Sequence, residues 1–178
     1  MVDWAERLRR LGTVVPFDYD YMAAGKKRPD RHPRLLERHR SVLYAARKHH
    51  QGPIVLAGKS MGGRIGCHLS VEEDVAAVVC FGFPLRTIAK VPKVRDEVLV
   101  SMRTPVLFCQ GSKDRMGPLD LFAEVRGRMT APSELFVVEG GAHGLELGKR
   151  FQASNGITQD ASDANVLAAV ASFLGNVL

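Results

Sequence analysis

One stretch of this 178-residue chain decides its fold: Pro53-Ile54-Val55-Leu56-Ala57-Gly58-Lys59-Ser60-Met61-Gly62-Gly63-Arg64. It begins with an apolar run, contains the pattern Gly-x-Ser-x-Gly, and is followed by residues with helical spacing. In such a strand-turn-helix unit the serine occupies a strained turn that exposes its hydroxyl at the edge of a sheet, and the flanking glycines leave room for neighbouring chain. The stretch therefore predicts a nucleophile at Ser60.

A phosphate-binding loop is the competing interpretation, because such loops also end in Gly-Lys-Ser. That motif requires a glycine five positions before Gly58, where this chain has Pro53, and Gly52 is one residue out of register. Residues 54–57 are Ile-Val-Leu-Ala, which is typical of a buried strand and not of a loop whose amides cradle phosphate. We therefore favour the nucleophile interpretation.

The rest of the chain alternates short apolar runs with amphipathic segments. The apolar runs predict strands at 13–17, 53–58, 75–81, 104–110 and 134–139, and the amphipathic segments predict helices at 4–11, 33–50, 61–70, 118–129 and 161–177. The strands lack alternation with polar residues, as is typical of strands buried on both faces. The order predicts an α/β fold, a mostly parallel sheet of about five strands flanked by helices, in a single domain over 1–178.

Two further polar residues follow predicted strands within glycine-containing turns. Asp114 comes just past the fourth predicted strand, and His143 just past the fifth. Reactive groups of parallel sheets gather at the carboxyl ends of the strands. Taken separately, Asp114 is explained as a turn former and His143 as an incidental loop residue. Their shared placement, in the order Ser, Asp, His, predicts a triad with Ser60 as nucleophile, His143 as base and Asp114 as orienting acid.

Composition and charge narrow the classes of partner. The formal net charge is +6, but its basic clusters at 26–31 and 34–48 fit a solvated surface and lack interleaved aromatic residues, so no nucleic acid partner is expected. The longest apolar runs, 75–83 and 166–171, fall far short of the ~20 residues that span a bilayer. Acidic residues stand where a signal peptide would be basic. We expect a cytoplasmic protein with no membrane partner.

The three cysteines Cys67, Cys80 and Cys109 lie in apolar surroundings and are odd in number, which argues against a disulfide framework. They lack the spacing of metal ligands, so we interpret them as small buried hydrophobic residues. The predicted chemistry requires no metal and no organic cofactor.

Several motifs together carry a resemblance to a known family. They are Leu-Ala-Gly-Lys-Ser-Met-Gly-Gly-Arg at 56–64, Gly-Lys-Lys-Arg-Pro-Asp at 25–30, Phe-Pro-Leu at 83–85 and Pro-Val-Leu-Phe-Cys-Gln-Gly-Ser-Lys-Asp at 105–114. The chain resembles small α/β-hydrolases similar to dienelactone hydrolases, in the branch that contains testis-expressed protein 30 and subunit 3 of the NSL complex. The resemblance covers nearly the whole chain. It implies the triad positions already given, with the Met61 backbone N–H as an oxyanion-hole donor.

The resemblance also implies a departure at the N-terminus. Members of this branch normally begin with another strand, whose His-Gly-Ala-Gly type loop supplies the second oxyanion donor, so this chain is expected to be a minimal, N-terminally shortened hydrolase. Losing one such donor typically costs about 3 kcal/mol of transition-state stabilisation. The additional strand belongs between 13–17 and 53–58. Three arrangements remain open: these two strands pair directly, a partner chain fills the gap, or the gene begins further upstream.

The expected function is hydrolysis of a small-molecule carboxylic ester through an acyl-enzyme. The alternative is a catalytically weak or inactive protein that acts as an interaction module. Lys59 beside the nucleophile, with Arg64 nearby, suggests binding of anionic ester substrates, and a solvated surface is the competing explanation. An exposed sheet edge would favour a homodimer.

Overall fold

The structure is a computed structural model that describes residues 2–178, in two compact units that divide between Pro53 and Ile54. The N-terminal unit contains three helices, α1 (Val2–Leu8), α2 (Asp20–Ala23) and α3 (His32–Arg47). Pro33 lies in the first turn of α3, where a missing N–H is tolerated. Leu35, Leu36, His39 and Leu43 form the buried face of this helix. The single domain expected over 1–178 stays a prediction.

A buried polar pair links α3 to the segment before α2. The Tyr19 hydroxyl lies 3.3 Å from His39 Nδ1, and the Phe17 ring packs against the His39 ring with centroids 4.9 Å apart. His39 is only 5% exposed. Burial penalises the charged imidazolium and lowers the pKa of His39 from 6.5 to about 4.

This lowered pKa predicts a loss of stability in mild acid. Between pH 6.5 and 4 the unfolded chain binds a proton at His39 that the folded chain does not, so the free energy of unfolding falls as the pH drops through this window. The loss approaches about 3 kcal/mol below pH 4. Urea unfolding at several pH values measures it. We expect His39→Gln to flatten this dependence, whereas His49→Gln, at an exposed position, keeps it. An unaltered pH dependence in His39→Gln contradicts the prediction.

The second unit is built on a parallel sheet of four strands. They are β1 (Val55–Lys59), β2 (Ala77–Phe81), β3 (Val106–Gly111) and β4 (Ser133–Val138), in the order β1-β2-β3-β4. Every residue of β2 and β3 is buried, which explains why these segments show no polar alternation. The α/β class and the parallel sheet are thus confirmed, with four strands in place of five.

The second unit also contains five helices. They are α4 (Met61–Glu72), α5 (Glu97–Ser101), α6 (Leu119–Arg126), α7 (Lys149–Asn155) and α8 (Gln159–Val177). Helices α4 and α8 pack against the sheet, α8 against β2, β3 and β4, and α5 contacts both α4 and α6. All five helices expected from the sequence are present, with ends shifted by at most three residues. The short helices α2, α5 and α7 were not predicted.

The strand predicted at 13–17 is wrong, because this segment pairs with none of the four strands. A strand is stable only where a neighbour takes up its backbone N–H and C=O groups. Pro16 has no N–H to donate to a neighbouring strand, so it weakens backbone pairing. Val15 is 57% exposed, so burial of its side chain does not favour a strand either. The apolar composition of the segment was misleading. Consequently β1 is the terminal strand of the observed sheet.

The three cysteines are free and buried, as the sequence predicted. Cys67 Sγ and Cys80 Sγ lie 3.7 Å apart between α4 and β2. Burial raises the pKa of Cys109 to about 12, and burial together with the hydrogen bond to Cys67 raises the pKa of Cys80. These two residues therefore remain thiols at neutral pH and act as packing residues. None of the helices between residues 2 and 178 combines the length and apolar character that a bilayer crossing requires.

Candidate active site

Ser60 lies on the sharp turn that connects β1 to α4. Its backbone has φ 52° and ψ −115°, a region that non-glycine residues rarely adopt. The Ser60 N–H donates to the carbonyl of Phe81 at 2.9 Å, and the Ser60 carbonyl accepts from Arg64 N–H at 3.1 Å. These bonds tie the strained turn to β2 on one side and to α4 on the other. Such strain concentrates at functional positions because the surrounding structure must enforce it.

Close packing at this turn explains the glycines around Ser60. A Cβ on Gly58 would lie 2.3 Å from the carbonyl carbon of Gly62, and a Cβ on Gly63 would lie 2.8 Å from the carbonyl oxygen of Gly58. A Cβ on Gly62, in contrast, would meet nothing within 4 Å. Gly58 and Gly63 are therefore the glycines that let α4 start directly against β1.

The structure brings together the three residues predicted as a triad. His143 Nε2 lies 2.7 Å from Ser60 Oγ, and His143 Nδ1 lies 2.7 Å from Asp114 Oδ2. The Asp114 side chain is fully buried and the His143 side chain is 29% exposed. A base that contacts both the nucleophile and an orienting acid is the arrangement that activates a serine hydroxyl.

The ends of β2 and β3 hold Asp114 and His143 in place. Asp114 follows β3, and its N–H donates to the carbonyl of Gly111 at 3.1 Å. A Cβ on Gly111 would lie 2.2 Å from the carbonyl oxygen of Gly141, which shows how closely the Asp114 turn packs on the His143 loop. Gly82, just past β2, has φ +65°, and a Cβ there would lie 1.9 Å from the carbonyl oxygen of His143. The position of His143 thus depends on small residues at the ends of β2 and β3.

The carboxylate of Asp114 accepts hydrogen bonds at both oxygens. Besides its contact with His143, Oδ2 accepts from the Gln110 side-chain amide, and Oδ1 accepts from Met116 N–H at 2.7 Å. Several donors fix the orientation of a buried carboxylate, and their hydrogen bonds replace those that it made to water before burial. Asp114 is therefore held at the angle at which it meets His143.

Met61 is the first residue of α4, directly after Ser60. The first N–H groups of a helix have no partner within the helix, and they carry the positive end of the helix dipole. The Met61 N–H thus follows Ser60 at the start of α4, and its role as an oxyanion-hole donor stays a prediction.

Lys59 forms an ion pair beside the triad. Its Nζ lies 2.9 Å from Glu146 Oε1, with side-chain exposures of 32% for Lys59 and 64% for Glu146. A Cβ on Gly144 would lie 2.4 Å from Lys59 Nζ, so the pair rests against the loop of His143. Burial raises the pKa of Glu146, but the hydrogen bond and charge of Lys59, together with backbone hydrogen bonds from Glu146 and Gly144, outweigh it, so the pKa lies below its ordinary value. An anionic ligand of Lys59 would thus compete with Glu146.

Sequence reasoning missed Gln110, Glu146 and Gly82 as parts of this site. Gln110 carried a usable signal, because it is a polar residue at the end of an otherwise apolar strand. Glu146 carried none, since it is 87 residues away from Lys59 in the chain. Gly82 carried only a weak sequence signal, because it is a glycine directly after a buried strand.

The fold and the site define a protein of the α/β-hydrolase class, with reactive side chains at the carboxyl ends of parallel strands. The family described as "Alpha/beta hydrolase domain" matches residues 1–175. The chain therefore belongs to this family, and its membership supports hydrolase activity in general.

Solved structures of similar fold agree with this assignment. An alpha-beta serine hydrolase homologue from Coxiella burnetii is 22% identical, with a TM-score of 0.70, and the match covers 96% of this chain and 74% of that chain. The esterase domain of a Rhodothermus marinus protein is 18% identical, with a TM-score of 0.57, and the match covers 78% of this chain and 66% of that chain. At such identities the similarity shows the fold alone.

Proposed function

We propose that this protein is a cytoplasmic serine hydrolase that cleaves a small-molecule carboxylic ester through an acyl-enzyme. The observation that carries the proposal is the pair of 2.7 Å contacts of His143, one to Ser60 Oγ and one to Asp114 Oδ2. Similarity to an esterase domain supports the choice of an ester. The motif at 56–64 supports placement in the dienelactone-hydrolase-like branch with testis-expressed protein 30 and NSL complex subunit 3.

In the proposed reaction Ser60 Oγ attacks the ester carbonyl while His143 Nε2 takes the hydroxyl proton. The Met61 N–H donates to the oxyanion of the tetrahedral intermediate. Asp114 Oδ2 holds the His143 ring by accepting from Nδ1–H and stabilises the imidazolium. His143 then returns the proton to the leaving alcohol, which leaves an acyl group on Ser60. Water activated by His143 cleaves this second ester, releases the acid and regenerates Ser60.

Hydrolysis of p-nitrophenyl acyl esters of graded chain length tests the proposal. Steady-state turnover accompanied by an acyl adduct on the peptide that contains Ser60, both absent in Ser60→Ala, is the expected result. Turnover that survives in Ser60→Ala would show that another group carries the reaction.

An interaction module with little or no catalysis is the second candidate. It is favoured by the terminal position of β1 in the sheet, since an edge strand offers backbone groups to another chain. The partner would then be a second copy of this chain, as a homodimer, and neither nucleic acid nor membrane. A folded protein that dimerises but turns over no ester would favour this candidate.

Lys59 is proposed to bind the carboxylate of anionic esters in exchange for Glu146. We expect Glu146→Gln to lower, and Lys59→Met to raise, the KM for a carboxylate-bearing ester relative to a neutral ester of equal length. Each change should be about two- to fivefold, because exposed ion pairs are weak. Steady-state kinetics on the two esters measures the ratio. Equal effects on both esters contradict this role for Lys59.

A further inference from the structure

We propose that Gln110 is a positioning residue of the triad, whose side-chain amide fixes Asp114 and restrains the charge that Asp114 presents to His143. This inference rests on the proposed function, because it concerns the efficiency with which His143 activates Ser60. Gln110 is the fifth residue of the six in β3 and is completely buried.

The hydrogen bonds of Gln110 leave only one orientation of its amide. Nε2 donates to Asp114 Oδ2 and, at 3.2 Å, to the carbonyl of Gly117, while Oε1 accepts from Phe83 N–H at 2.9 Å. A flipped amide would place an oxygen against two acceptors and an NH2 group against the N–H of Phe83. The N–H that reaches Asp114 is therefore set by partners outside the triad.

The surroundings of Gln110 leave it little freedom to move. A Cβ on Gly117 would lie 2.3 Å from Gln110 Nε2 and 2.8 Å from the Phe122 ring, so the absence of a side chain at Gly117 provides the space that the amide fills. The ring of Phe83 packs edge-on against Phe122, with centroids 6.4 Å apart. Gln110 thus joins the end of β2, the turn of Asp114 and the start of α6 into one rigid support.

The effect of Gln110 on His143 depends on which oxygen of Asp114 the Gln110 amide contacts. Asp114 Oδ2 accepts from both His143 Nδ1 and Gln110 Nε2. The amide donor disperses part of the carboxylate charge that His143 would otherwise experience. Without this donor, the charge at Oδ2 is more localised, the imidazolium is stabilised and His143 becomes harder to deprotonate. The carboxylate also gains freedom to rotate, because Met116 N–H then holds only its other oxygen.

A purely structural role is the alternative. Gln110 would then serve only to satisfy Phe83 N–H and the carbonyl of Gly117. The two roles differ in one readout, because only a residue that acts through Asp114 changes the pH at which His143 loses its proton. The pH profile of Ser60 reactivity therefore decides between them.

The test is the second-order rate of Ser60 labelling by a fluorophosphonate probe, measured across pH for the native protein and Gln110→Met. Methionine has a similar volume but cannot donate to Asp114. We expect the rate at neutral pH to fall about 10- to 100-fold. We also expect the midpoint of the acid limb to rise by about half a pH unit or more.

Two other variants keep the test decisive. Phe122→Leu loosens the aromatic cluster beside Gln110 without touching its hydrogen bonds, so it should lower the melting temperature and leave the pH midpoint unchanged. Gln110→Glu keeps the shape and the acceptor for Phe83 N–H but replaces the donor NH2 by a second carboxyl group. Its rate relative to the native protein should fall as the pH rises and the two carboxyl groups lose their shared proton.

The labelling results separate the role of Gln110 from the proposed function itself. A displaced pH midpoint in Gln110→Met and a relative rate that falls with pH in Gln110→Glu, with neither change in Phe122→Leu, support the positioning role. Labelling of the native protein with unshifted profiles in the folded Gln110 variants contradicts the role of Gln110 alone. A folded native protein that takes up no label contradicts the proposed function itself, and the role of Gln110 with it.

Discussion

Asp114→Asn is expected to lower kcat about ten-thousandfold, the order of loss that follows when a triad histidine is held in the wrong tautomer. In the native site both carboxylate oxygens face donors, with His143 Nδ1 and Gln110 Nε2 at Oδ2 and Met116 N–H at Oδ1. An asparagine in either orientation sets its NH2 group against at least one of them. Where the NH2 group replaces Oδ2, His143 Nδ1 must become an acceptor, which leaves Nε2 protonated and unable to take the proton of Ser60.

The measurement is ester turnover beside urea unfolding of the same variant. Asp120→Asn is the matched control, because Asp120 lies in the first turn of α6 and belongs to no part of the triad. It should retain native kcat. A folded Asp114→Asn with kcat within about tenfold of native would show that His143 does not depend on Asp114.

Gly82→Ala is expected to destabilise the protein by about 3 kcal/mol or more and to remove most activity. Gly82 has φ +65°, and the added Cβ would lie 1.9 Å from the carbonyl oxygen of His143. The strained backbone alone costs about 1–2 kcal/mol, and the overlap forces the His143 loop away from β2 at further cost. A displacement of about 1 Å at a catalytic group lowers the rate about 100-fold.

Gly156→Ala separates these two contributions. Gly156 follows α7 with φ +62°, and a Cβ there would meet nothing within 4 Å. The free energy of unfolding of Gly156→Ala should fall by about 1–2 kcal/mol from backbone strain alone, and this variant should keep native kcat. Unfolding free energies and turnover of both variants test the comparison. Equal losses of stability and activity in the two variants would mean that the contact between Gly82 and His143 is unimportant.

The sequence predicted those features that depend on local pattern. Strands β2 and β3 were recognisable because burial on both faces removes polar alternation. Asp114 and His143 were recognisable because each follows an apolar strand within a glycine-containing turn, and parallel strands end at a common edge. The structure places His143 beside Ser60 and Asp114 on the other side of the His143 ring.

Features that depend on distant partners were not predictable. The segment 13–17 has the composition of a strand, but whether it forms one depends on a neighbour elsewhere in the chain. Gln110 contacts Asp114 only because Phe83 and Gly117 complete its hydrogen bonds. The pattern Gly-x-Ser-x-Gly likewise suggested Gly62 as a close-packed glycine, whereas in the structure an added Cβ would meet the backbone of Gly58 from Gly63 and nothing from Gly62.

Labelling with a fluorophosphonate probe tests the central claim, an activated Ser60, most directly. The native protein should take up one label per chain, on the peptide that contains Ser60. Ser60→Ala should take up none, and His143→Ala should react at least about 100-fold more slowly because its serine has no base. A folded native protein that stays unlabelled, or a Ser60→Ala variant that labels like the native protein, would contradict the account.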